Sequence, residues 1–250
     1  MRAALAEIGI DLDLIVETYK YFKEMQLEDP ELKIPTYRAK IPSGGGRAFY
    51  IVTGDDDFDT SVTSFQGVIA SFYNCNAFFP NPEPGKEPPA CSSEDGISGF
   101  DILTNEVKDC ASCPNNQWGS KNGAKGSKRA KACKNMRRLY VLVEGSVVPI
   151  ILTLPPTSIN GWEVYKSAVL GVQKYSPKDV VTEFTLGTAA NEVGTKYSVV
   201  QFKAVGVIGV KVRETVKFLS DGETYNKKIS AEDYITTELD SEIATLPAAL

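Results

Sequence analysis

The sequence predicts a fold that is mainly β with helices (α+β), broken by one inserted module and flanked by an N-terminal helix and an acidic C-terminal tail. Three observations carry this. Between residues 42 and 210, runs rich in Val, Ile, Phe, Tyr and Thr recur at strand length, with Gly, Asp, Asn and Pro between them. One stretch with helical apolar spacing falls between a strand pair and the last two strands. Four of the five cysteines lie between residues 91 and 133, in a segment that separates strand-like runs.

Residues 1–41 are an N-terminal helix and its connector. Leu12, Ile15, Val16, Tyr19 and Phe22 fall on one helical stripe over residues 11–26; Asp11 is placed to cap it, and Pro30 and Pro35 stop it. The β domain spans 42–210. After the flexible Ser43–Gly46, residues 47–53 form a first strand, and Asp55, Asp56, Asp57 and Asp59 follow in a turn. Residues 60–73 form a long strand, with Gly67 placed to bend it through a bulge. Cys75, at the end of that strand, reads as a buried small residue. Past the insertion at 80–138, residues 139–154 make a hairpin about Glu144-Gly145-Ser146. Thr157 or Ser158 caps a helix of about 14 residues whose apolar face holds Ile159, Trp162, Val164, Tyr165, Val169 and Leu170. Strands at 179–186 and 196–207 complete the domain. Residues 211–250 are a C-terminal extension: Val210, Val212, Val216 and Phe218 either lengthen the last strand or open a helix, and Glu232, Asp233, Glu238, Asp240 and Glu242 make an acidic tail.

Composition limits the function. A hydrophobic content of 42% with 10% aromatics supplies a core. No apolar run reaches the roughly 18 to 20 residues of a membrane span, so no membrane partner is expected. Glu7 and Asp11 interrupt the first residues before a signal peptide forms, so the chain reads as cytoplasmic. There is no histidine, which removes Ser-His-Asp and Cys-His nucleophiles and histidine-bearing zinc sites. The net charge is −5, yet eight of the 27 Lys and Arg residues fall within 121–138 with no acidic residue among them, leaving 19 against 32 acidic residues elsewhere. Positive charge concentrated on an acidic body marks a polyanion site.

Cys110-Ala-Ser-Cys113 has the spacing at which one turn aims two thiolates at one ion. Cys91, with 18 residues between it and Cys110, and Cys133, with 19 between it and Cys113, complete a four-thiolate set. In a reducing compartment this pattern favours a metal over disulfides. Zinc fits the ribbon-like spacing, and an iron-sulfur cluster is the alternative. Four cysteines leave no open coordination position, so the ion is structural. The phosphate-binding candidates are Lys121, Lys125, Lys128, Arg129, Lys131, Lys134, Arg137 and Arg138. The base-stacking candidates are Trp118 and Tyr140, and Arg47, Phe49 and Tyr50 of the first strand add to the same groove.

With the insertion lifted out, the order is strand, long bent strand, strand pair, helix, strand, strand. That order is close to the five-stranded OB-fold barrel, whose helix sits between the third and fourth strands; a β-sandwich with one helix is the competitor. The strand order, the cysteine module and the acidic end together resemble single-stranded DNA-binding proteins. The zinc-bearing OB domain of the replication protein A large subunit is similar in ligand type. The helix-destabilising protein of T-even phages is similar in layout, although it uses a histidine absent here. The runs Cys91-Ser-Ser-Glu-Asp-Gly96, Cys110-Ala-Ser-Cys-Pro-Asn-Asn-Gln-Trp-Gly-Ser120 and Lys131-Ala-Cys-Lys-Asn-Met-Arg-Arg-Leu-Tyr140 look like a type found in phages and mobile elements of Gram-positive bacteria. The resemblance implies single-stranded DNA binding in replication or recombination, with the acidic tail competing for the basic surface or recruiting partner proteins. Two rival readings stand beside it: a zinc ribbon that binds a protein, and a metal-dependent nuclease built on Asp55, Asp56, Asp57 and Asp59.

Overall fold

Strand-length apolar runs and one buried helix do build the domain. The computed structural model describes residues 9, 11–29, 32, 37–54, 59–80, 89–121, 130–192 and 194–221. In chain order its elements are α1 (Leu12–Glu28), β1 (Tyr37–Lys40), β2 (Phe49–Val52), β3 (Thr60–Val62), β4 (Ser64–Phe78), β5 (Cys91–Ser93), β6 (Ser98–Asp101), β7 (Glu106–Asp109), β8 (Cys133–Val143), β9 (Ile150–Leu154), α2 (Pro156–Gln173), β10 (Val180–Ala190), β11 (Lys196–Val207) and α3 (Val210–Asp221). The fold is mixed α+β, mostly sheet, with three helices among the described residues. The acidic tail lies outside them.

The sheet runs β3-β2-β1-β9-β8-β4-β5-β6-β7, with β10 paired to β4 and β11 to β10. Among the described residues this ladder does not close into a barrel. Strand β4 is its hub. It pairs with β8 from Gly67 to Phe78, with β10 from Ser64 to Val68, and with β5 from Asn76 to Phe78. β1 pairs parallel to β9 and antiparallel to β2. Sequence analysis missed β1, because Tyr-Arg-Ala-Lys has neither the length nor the alternation of a strand and takes its form from the open edge of β9.

Two apolar layers cover the two faces of the sheet. On one, Phe49, Ile69, Leu139, Val141, Leu152 and Phe184 pack with Trp162, Tyr165 and Val169 of α2. On the other, Val68, Ala70, Tyr140, Leu142 and Ile151 pack with Ile15 and Tyr19 of α1 and Val216 and Leu219 of α3. β8 is therefore buried on both sides at its C-terminal end, which is why 139–143 reads as an unbroken apolar run. The Asp11 carboxylate accepts from Leu14 N at 2.9 Å, the expected cap of α1. The 210–221 run is a helix, and Tyr19 meets Phe218 edge-on at 6.0 Å.

Three local expectations are corrected. The irregularity in β4 falls between Ile69 and Ser71, not at Gly67. Gly67 instead admits β8: a Cβ there would stand 2.4 Å from Leu142 O and 2.5 Å from Val141 Cγ1. Ser158 does not cap α2, whose N-cap is Pro155 without a side-chain bond. Its buried hydroxyl accepts from Val200 N at 3.0 Å and so ties α2 to β11. Val164 and Leu170 are 61% and 66% exposed, so the buried stripe of α2 is narrower than expected. Trp162, fully buried against Phe72, Tyr165 and Phe202, is the keystone. Trp162→Ala is expected to lower the unfolding free energy by about 3 to 5 kcal/mol in urea titrations, while Val172→Ala, at a position 82% exposed, changes it by no more than about 0.5 kcal/mol.

Candidate metal centre and nucleic-acid interface

The cysteine segment is held by carboxylates and amides that shape tight turns. β5, β6 and β7 form an antiparallel meander on the C-terminal end of β4. In the β5–β6 turn, Asp95 Oδ1 accepts from Ser93 Oγ at 2.9 Å, Ile97 N at 2.7 Å and Ser98 N at 2.9 Å. These bonds, the backbone ones first, hold its carboxyl below the usual range. Asp101 is paired with Lys108 across β6 and β7. Asp109 accepts from Ser112 Oγ at 2.6 Å and Ser112 N at 2.9 Å, folding the chain between Cys110 and Cys113. Asn116 Nδ2 then donates to Cys110 O at 2.7 Å, and Asn135 Nδ2 of β8 donates both to Asn116 Oδ1 at 2.9 Å and to Asn76 Oδ1 of β4 at 2.7 Å. The cysteine turn is thereby bolted to both long strands. These three asparagines escaped sequence analysis, since only the fold brings residues 76, 116 and 135 together.

Strand register places the outer cysteines. Cys91 on β5 and Cys133 on β8 are both partners of Phe78, one on each side of β4. All four cysteines, together with Gly99, Asp101, Lys108 and Asn116, line one small cleft of about 20 Å³. None forms a disulfide. Burial, followed by the charges of Cys110, Cys113 and Cys91, pushes the Cys133 thiol up to about 12. Burial and then the Asp101 charge raise Cys91, with Cys110 and Cys113 adding to it. Among the described residues, no three Cys, Asp or Glu side chains stand at the spacing of a formed metal site. The chemistry of the donor set fits an ion nonetheless. Four cysteines line one cleft, and the mutual repulsion of soft thiolates is what a divalent cation relieves. Gly99 supplies the room: a Cβ there would stand 3.0 Å from Cys91 Sγ and 3.6 Å from Cys110 Sγ. Cys75 stands apart, buried in β4 beside Ala77 and Met136.

The basic residues divide. Trp118 is 73% exposed, with Lys131 Nζ 5.4 Å from its ring centroid and donating to Asn116 Oδ1 at 3.3 Å. The N–H groups of Gly119 and Lys121 both reach Ala130 O. Lys125, Lys128 and Arg129 lie outside the described residues. β8 begins at Cys133, inside the expected 80–138 insertion, and its alternation sends Arg137 to one face of the sheet and Lys134 and Arg138 to the other. Lys134 is exposed, its Nζ 5.4 Å from the Phe79 ring. Arg138 is buried, which corrects its assignment as a surface phosphate contact. Tyr140 and Phe49 are corrected as stacking platforms. Both rings are fully buried, Tyr140 among Val68, Leu142 and Ile151 and Phe49 against Phe65, because β8 and β2 each turn these positions into an apolar layer. Arg47 is exposed and Tyr50 half-buried on the opposite side of β2 from Phe49. Asp55, Asp56 and Asp57 lie outside the described residues. Asp59 accepts from Thr53 N at 2.7 Å and Thr53 Oγ1 at 3.1 Å, a turn-closing role.

No protein-family model, curated protein or solved structure matches the chain. No described helix is long and apolar enough to cross a membrane.

The asparagine frame has a measurable consequence. Asn135→Ala leaves the Asn76 and Asn116 carbonyls without this donor and is expected to cost about 1 to 3 kcal/mol. Hydrogen exchange should accelerate at residues 110–117 while the amides pairing β8 with β9 keep their protection.

Proposed function

We propose that the chain binds single-stranded nucleic acid, DNA in the first instance, and that a structural zinc ion on Cys91, Cys110, Cys113 and Cys133 stiffens the module that does so. The carrying observation is Trp118, a large ring left in solvent beside Lys131 at the base of a lysine-rich loop, on the turn that also bears Cys110 and Cys113. An exposed ring beside cations is what sequence-tolerant binding needs: bases stack on the face, at roughly 1 to 3 kcal/mol each, and ammonium groups meet the phosphates. Lys121, Lys131, Lys134, Arg47 and Tyr50 remain accessible for the same role.

The pairing order supports an OB-like reading of the domain. β4, β8 and β9 follow one another as antiparallel neighbours, α2 comes next, and β10 returns to β4 with β11 beside it. β1, and not β11, lies on the free edge of β9. In OB-folds oligonucleotides bind the face of the second and third strands and the loop between the first and second. The cysteine module, between β4 and β8, holds that loop position. A role in the replication or recombination of a phage or mobile element, within a bacterial cytoplasm, follows from the resemblance of the cysteine runs. The acidic tail would then compete with DNA or recruit partner proteins. The chain acts by binding and not by catalysis in this reading. The rival, a ribbon that binds a protein, has in its favour the exposed Ile97, Leu103 and Val107 of the meander.

Two measurements test this. Elemental analysis of protein prepared without chelator is expected to find one zinc per chain; Cys110→Ser abolishes it and Cys75→Ser leaves it intact. Absence of any bound metal would overturn the zinc assignment. Fluorescence anisotropy with oligo(dT) is expected to show binding that weakens steeply with salt, the slope falling by about 0.7 for each phosphate contact removed, and Trp118→Ala to cost about 1 to 3 kcal/mol. An oligonucleotide that fails to bind at low salt overturns the nucleic-acid reading in favour of the protein-binding one.

A further inference from the structure

The cysteine meander ends in an open strand. β7 is the last member of the sheet, and among the described residues no strand pairs with its outer side. Register shows which of its backbone groups face outward. Cys110 N donates to Ile97 O at 2.7 Å, continuing the β6–β7 ladder, and Ile102 N donates to Ala90 O at 2.9 Å, continuing the β5–β6 ladder. Alternation from these two bonds makes Gly99 with Lys108 and Asp101 with Glu106 the hydrogen-bonded pairs, and Phe100 with Val107 a non-hydrogen-bonded one. The N–H and C=O of Val107 and Asp109 therefore point out of the sheet edge. Side chains alternate as well. Val107, 72% exposed, stands beside Phe100, 44% exposed, on one face. Glu106 and Lys108 lie on the other, where Lys108 lines the cysteine cleft and meets Asp101. The remaining sheet ends offer no such combination: β3 presents the polar Thr60 and Ser61, and at β11 the Val200 N–H is taken by Ser158 Oγ.

We infer that β7 pairs with β7 of a second copy of this chain, antiparallel about a two-fold axis at Val107, so that one sheet runs through the dimer. A two-fold contact needs a patch that complements itself, and this one does. With Val107 opposite the partner's Val107, the two residues exchange both outward backbone bonds. Each Glu106 then faces the partner's Lys108 in the adjacent pair, where side chains stand closest. Charge selects that register. Outward groups meet outward groups only if the strands slide by two residues, and such a slide sets Glu106 against the partner's Glu106 or Lys108 against the partner's Lys108. Like charges directly opposite are destabilising. Lys108 keeps Asp101 in the dimer, since an ammonium has three donors. On the opposite face Phe100, Val107 and their two mates form one apolar stripe, which covers side chains that the single chain leaves in water. With four residues a side, the contact falls below the standard interface of about 1,200 to 2,000 Å², so the dimer is weak and depends on concentration. The inference stands apart from the nucleic-acid reading.

The test is sedimentation of the full-length chain under reducing conditions, at concentrations from about 1 μM to about 1 mM. The mass is expected to rise from one chain to two and to stop there. Glu106→Lys, which sets two ammonium groups face to face, and Val107→Lys, which charges the middle of the edge, each raise the dimer dissociation constant by about tenfold or more. Both positions are exposed, so both variants keep the wild-type melting temperature in dilute solution, which separates lost pairing from lost fold. Mixing the Glu106→Lys chain with a Lys108→Glu chain restores association, because opposite charges then meet at both positions. A wild-type chain that keeps the mass of one chain throughout overturns the inference. Growth past two chains overturns the two-fold pairing, and a dimer that Glu106→Lys and Val107→Lys leave unchanged overturns its assignment to β7.

Discussion

Hydrogen bonding along β4 is the constraint on which the rest of the molecule depends. One strand serves three partners: its first residues pair with β10, nearly its whole length with β8, and its last residues with β5. The core layer against α2, the outer layer against α1 and α3, and the cysteine meander all hang from it. Close approach is part of that arrangement. Gly67 lets the β8 carbonyl at Leu142 pass where any side chain would block it, and the irregularity near Ala70 re-aims the strand beyond. The site is therefore an extension of the core ladder and inherits its rigidity through Asn76, Asn116 and Asn135.

Much of this architecture was legible in the residues, and what was not has identifiable physical causes. α1, the hairpin of β8 and β9, α2, β10 and β11 carry periodicity long enough to stand out, and Asp11 marks a true helix start. β1 and the meander strands are only three or four residues long and exist because a neighbouring edge offers hydrogen bonds, which no local pattern records. Tyr140 and Phe49 looked like binding aromatics because a ring in a strand next to basic residues is ambiguous; the second apolar layer, supplied by helices remote in sequence, decides it. The meeting of Arg137 and Lys166 on Glu163 was invisible for the complementary reason: Arg137 comes from β8 and the other two from α2, and only the fold brings them together.

Charge organises the surface as hydrogen bonds organise the interior. Eight basic residues in an otherwise acidic chain are not one patch, since the alternation of β8 sends Arg137 to the cysteine face and turns Lys134 and Arg138 away from it. The thiols pose a related electrostatic problem. Burial and the neighbouring cysteines raise the Cys91 and Cys133 thiols, Cys133 to about 12, and a cation between four thiolates would offset their mutual repulsion. In the proposed reading, phosphate at the lysines and metal at the cysteines would be two answers to one requirement, that clustered like charges be met by a counterion.

The parallel pairing of β1 with β9 carries a kinetic implication. Residues 37–39 and 150–152 are partners in the ladder, so a nascent chain exposes Tyr37–Ala39 long before its mate has left the ribosome. The first hairpin, β1 with β2, must wait until the hairpin of β8 and β9 has formed before it can dock. Long-range pairing of this kind slows assembly and leaves an unsatisfied edge open in the interval, so the vulnerable moment of this protein's life falls before β9 is complete.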